Sequence, residues 1–114
     1  MKRLLLIPLL LIAIYAQAAV VTMQVTLGSG NTKVLSVGAH QNCRWIVIQN
    51  NQTHAIRIGD TNITSTRGIL LASGAPGGSF YIGPDSSGSA RDLGTWYING
   101  TAADVIDVVY DDGQ

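Results

Sequence analysis

The rhythm of the apolar residues constrains this chain most. From Val20 onward they recur at every second position in short runs, each closed by Gly, Asn, Asp, Ser or Pro, and no stretch carries a helical period. A two-residue period puts one apolar face on a strand and none on a helix. The acidic residues point the same way, since every one is Asp and none is Glu, and Asp prefers turns and caps to helix interiors. Thirteen glycines supply the turns.

The runs predict strands over 20–27, 33–37, 43–49, 54–59, 69–71, 80–82, 95–99 and 104–110. In the first, Val21, Met23, Val25 and Leu27 share a face; in the second, Lys33, Leu35 and Val37 oppose Val34 and Ser36. Cys43 to Gln49 is apolar on both sides, which marks a central strand and the best core candidate, with core packing the first reading for Trp45. Asn50-Asn51-Gln52-Thr53 reads as the turn of a hairpin joining 43–49 to 54–59. Gly100-Thr101-Ala102 reads as that of a second hairpin joining 95–99 to 104–110. The expected fold is all-β: a small antiparallel β-sandwich or jelly-roll-like domain of about eight strands, preceded by an N-terminal hydrophobic segment.

That segment opens with Lys2 and Arg3, continues as an apolar run from Leu4 through Leu11 to Tyr15, and closes on Ala16-Gln17-Ala18. Charge, greasy core and small-x-small is the order of a secretory signal, with cleavage expected after Ala18. The alternative is a retained anchor over residues 4–21, interrupted by Pro8 and Gln17 and near the lower limit of about 17 to 25 residues for a spanning helix. The chain thus divides into a signal-like or membrane-anchor segment, 1–18, and a single β-sandwich domain, 19–114.

At 114 residues there is room for one domain. Seven basic and seven acidic residues cancel, so no basic field gathers phosphate, and nucleic acid is not an expected partner. The lone Cys43 can form neither an internal disulfide nor a Cys-rich metal site; opening an apolar strand, it reads as a small buried hydrophobe. His40 and His54, the only histidines, have no Cys or carboxylate at ligand spacing and read as surface or turn residues. No Gly-x-Ser-x-Gly elbow occurs. Asp60-x-Asn62-x-Thr64 has the start of a calcium loop but lacks its later Gly and Glu. Three Asn-x-Thr triplets, at Asn51, Asn62 and Asn99, read as turn material. No catalytic residue, metal or cofactor is assigned, and the chain is expected not to be an enzyme. Trp96 and Tyr97 are adjacent in a strand and must point to opposite faces, so one is a candidate partner contact.

Arg44-Trp45-Ile46-Val47-Ile48-Gln49-Asn50-Asn51, Ile56-Arg57-Ile58-Gly59-Asp60, Gly68-Ile69-Leu70-Leu71, Thr95-Trp96-Tyr97-Ile98 and Thr101-Ala102-Ala103-Asp104-Val105 follow in that order. Over residues 44–110 this resembles a small β-domain recurrent among virion proteins of tailed and related bacteriophages. The resemblance implies a structural component of a bacteriophage particle, of the capsid decoration, fibre or vertex type, homo-oligomeric, in contact with other virion proteins and without catalytic residues. The leader departs from that pattern, because head proteins assembled in the cytoplasm need no export. It fits a protein held against a viral membrane through residues 4–21, or one exported from the host. The other expectation is an exported bacterial binding or adhesion module, periplasmic or secreted, that recognises carbohydrate or protein.

Overall fold

Alternation carries straight into structure in the first strand. The computed structural model describes residues 19–84 and 86–112, and β1 (Val20–Thr26) turns Val21, Met23 and Val25 inward and Val20, Thr22, Gln24 and Thr26 outward. Then come β2 (Asn31–Lys33), β3 (Asn42–Cys43), β4 (Trp45–Gln49), β5 (Ile56–Gly59), β6 (Ile69–Leu71), β7 (Ser79–Ile82), β8 (Arg91–Asp92), a single 3-10 turn (Leu93–Thr95), β9 (Tyr97–Asn99) and β10 (Val105–Asp111). Two four-stranded sheets form, ordered β1-β10-β4-β7 and β2-β9-β5-β6, with β3 and β8 as a short separate pair. Every pairing is antiparallel. Apart from the neighbours β5 and β6, no strand pairs with the next one along the chain, which is the two-sheet jelly-roll arrangement.

The core lies between the sheets. Ile46, Ile48, Ile106 and Val108 from the first sheet meet Ile56, Ile58 and Ile98 from the second, all buried, with Leu93 and Cys43 closing one end. Each fully buried aliphatic side chain contributes about 1.5–3 kcal/mol against exposure. β4 is central, as its two-sided apolar character predicts, flanked by β10 and β7.

Both expected hairpins are overturned. β4 and β5 lie in different sheets, as do β9 and β10, so residues 50–55 and 100–104 are arches that carry the chain across the core. Asn50 builds the first. Fully buried, it donates through Nδ2 to the carbonyls of His54 (2.9 Å), Ala72 (3.1 Å) and Leu71 (3.3 Å), and its Oδ1 accepts from the Gln52 amide. A side chain that satisfies three carbonyls inside the domain bends the backbone inward, where a hairpin turn would keep it in the sheet. The second arch is tied to the end of β1: Leu27 N donates to Asp104 O and Ala103 N to Leu27 O, both at 2.8 Å.

Three further expectations need correction. The second strand is 31–33 and not 33–37: Val34 donates to Trp96 O and buries its side chain, after which Gly38 at φ +79° turns the chain and leaves Val37 exposed. Trp45 lies half-buried on the outer face of its sheet, across from Asp111, because the inward positions of β4 belong to Ile46 and Ile48. Val20 and Val21, the last residues of the expected membrane contact, are β1 residues paired with Asp111 and Tyr110. Ala19 also exchanges hydrogen bonds with Asp112. Lys2, Arg3, Leu4, Leu11, Ala16 and Ala18 lie outside the described residues. Among the described residues no helix is long and apolar enough to cross a membrane.

Candidate functional site: an apolar cleft at one end of the sandwich

The loop between β5 and β6 makes the cleft. Asp60 Oδ1 accepts from Asn62 N at 2.8 Å, so the Asp-x-Asn spacing serves a local turn. Thr64 and Arg67 then close a second turn through reciprocal backbone bonds, with Thr64 Oγ1 also accepting from Arg67 N. Arg57 reaches up from β5 and donates to the carbonyls of Ser65 (3.0 Å) and Gly68 (2.9 Å), while Asn31 Nδ2 donates to Ile63 O at 2.8 Å. Held on three sides, the loop drives Ile63 down onto β5.

Two glycines permit this. A Cβ on Gly59 would lie 2.5 Å from Ile63 Cγ2, and one on Gly68 would lie 2.9 Å from Ile58 O at a φ of +122°. Between the loop and the 3-10 turn remains a cleft of about 410 Å³, walled by Ile58, Ile63, Ile69 and Trp96, with Asp60, Arg67 and Thr95 among its lining residues. That is the size and character of a small-ligand site: apolar walls with a few polar groups.

Trp96 is set in place by a chain of backbone contacts. Asp92 caps the 3-10 turn by accepting from Gly94 N (2.8 Å), also accepts from Gln41 N (3.2 Å), and lies 2.6 Å from His40 Nδ1. Leu93 N donates to Gln41 O, and Trp96 then donates to Leu93 O and accepts from Val34 N. Burial pushes the Asp92 carboxyl up, but the bonds from His40 and the two amides outweigh it and hold the group below its ordinary value.

The structure separates the two adjacent aromatics, but the expected strand 95–99 is shorter: β9 starts at Tyr97, and Trp96 is the extended C-cap of the 3-10 turn. Trp96 packs on the core and lines the cleft. Tyr97 stands on the outer face of its sheet, in register with Lys33 and Gly59. His40 and His54 are both exposed, each against a carboxylate remote in sequence; His54 Nδ1 lies 3.0 Å from Asp104 Oδ2. No group of three metal-ligating side chains occurs among the described residues. Cys43 is fully buried, and burial is the main cause that pushes its thiol up to about 11, so it is no nucleophile at neutral pH. From sequence, residues 60–68 offer an incomplete calcium-loop start and an Asn-x-Thr triplet, and neither marks a cleft. Ile63 among threonines was the one sign that the loop has an inside.

No family model, curated protein or solved structure matches this chain. Its functional reading therefore rests on its own residues and geometry.

Proposed function

We propose that this chain is a non-enzymatic structural component of a bacteriophage particle, a minor capsid, decoration or vertex protein that works by contact with other virion proteins and with copies of itself. The observation that carries this reading is a jelly roll that leaves large apolar side chains on its surface. Val37, Val20, Tyr81 and Leu70 are 95%, 64%, 61% and 56% exposed. Jelly rolls recur in viral capsid and lectin domains, and exposed apolar groups beside unpaired strand edges suit lattice contacts. β7 and β6 are such edges, and they carry Tyr81 and Leu70. The order of motifs from Arg44 to Tyr110 supports the same reading. Residues 1–18 would place the domain against a membrane of the particle or direct its export.

Purified particles supply the test. The chain should co-purify at a fixed ratio to the major capsid protein through a density gradient and a high-salt wash. Recovery only as free protein in the culture fluid sinks the proposal.

The Trp96 cleft favours a second reading, an exported module that binds carbohydrate or protein. That module should start at Ala19 by intact mass and change its tryptophan fluorescence when titrated with the glycan or peptide it recognises.

A further inference from the structure

Val37 is the most exposed large apolar residue described, at 95%. It does not dangle. Ala39 N donates to Ser36 O at 3.0 Å, closing a turn around it, and Gly38 at φ +79° completes the reversal. Leu35 on one side packs against the core, and His40 on the other is held by Asp92. An ordered turn that presents a valine to water offers a preformed apolar knob, and a partner that covers it gains the burial.

The cleft opens at the same end of the domain. β2 stops at Lys33, whose register partner Tyr97 pairs in turn with Gly59, and Val34 bonds Trp96 O. The Val37 turn therefore leaves the sheet beside two residues that line the cleft. Knob and hole on one end form a self-complementary surface, which is what a two-fold contact needs. The charges there are complementary: Lys33 on the turn side can meet Asp60 of the cleft. A chain of zero formal net charge also does not repel its own copies.

We propose that two copies of this chain meet end to end about a two-fold axis, the Val37 turn of each entering the cleft walled by Ile58, Ile63, Ile69 and Trp96 of the other. This deepens the structural reading above by naming a partner, and its role in a particle rests on that reading. The contact itself is tested apart from any particle.

The full chain is sedimented in a non-ionic detergent, which covers residues 1–18, alongside Val37→Asp and Val37→Ile. The parent chain and Val37→Ile should form dimers. Val37→Asp should weaken dimerisation by about tenfold or more, because a carboxylate would enter an apolar cleft. Val37 is too exposed for either change to disturb folding. A Val37→Cys/Ile69→Cys chain, oxidised at neutral pH with Cys43 inert in the core, should form an intermolecular disulfide faster than either single variant. A monomeric parent chain, a dimer indifferent to Val37→Asp, or a disulfide that is absent or closes within one chain overturns the proposal. A chain that dimerises this way yet never enters particles sinks the virion reading and leaves the contact standing; a monomeric chain found in particles does the reverse.

Discussion

Single polar side chains hold the two ends of this domain. At one end Asn50 satisfies three carbonyls in the interior. Asn50→Ala removes these bonds, and although Ala72 O keeps the Gly78 amide as a donor, about 2 kcal/mol of stability should go with them, measured by urea unfolding. An unchanged midpoint would mean water replaces the amide. At the other end Asp92 is a carboxylate held below its ordinary pKa. A depressed carboxyl stabilises the fold above the unfolded value of about 4 and loses that contribution as pH falls through its lower folded value. Stability should therefore fall below about pH 4. Asp92→Asn should flatten part of that fall while costing about 1–2 kcal/mol at pH 7. Parallel profiles for the two proteins would show that another acid is responsible. The sequence disclosed Asp92 and Asn50 only as turn formers. Besides their local bonds, Asn50 meets Leu71 and Ala72 and Asp92 meets His40 and Gln41, remote partners that no local pattern records.

The β5 to β6 connection is the element on which the cleft depends. Its shape needs a residue without Cβ at Gly59 and Gly68. Gly68→Ala places a side chain at a left-handed φ against the Ile58 carbonyl, so it should destabilise the domain by roughly 1–3 kcal/mol. The damage should centre on the loop: amide exchange of residues 60–68 should accelerate more than that of β4 or β10. A uniform acceleration throughout the domain would argue against a local role. Strand periodicity revealed β1, β4, β5, β6, β7 and β10 closely, because each keeps one side apolar over its length. It failed over residues 33–37, where Val34 enters the core beside Trp96 while Val37 points to water. Alternation there described composition and not a ladder.

Among the described residues both sheets share one core, with Trp45 on the outside of one sheet and Trp96 near the inner side of the other. Such a structure should unfold in one step: tryptophan fluorescence, far-ultraviolet circular dichroism and the reactivity of Cys43 should change at the same denaturant concentration. In the native state the thiol should react about a thousandfold more slowly than in the unfolded chain, since it is fully buried. Early exposure of Cys43 would reveal that the β3 and β8 pair opens by itself. By itself the sequence determined the all-β class and the inward side of most strands, because these follow from a two-residue period and from local propensity. Only the tertiary structure decided which strands are neighbours. Turn residues such as Asn50-Asn51 and Gly100-Thr101 serve a hairpin and a core-crossing arch equally well. What chooses between them is where the buried faces of all the strands can meet at once, and that choice also placed Val37, Ile63 and Trp96 at one end.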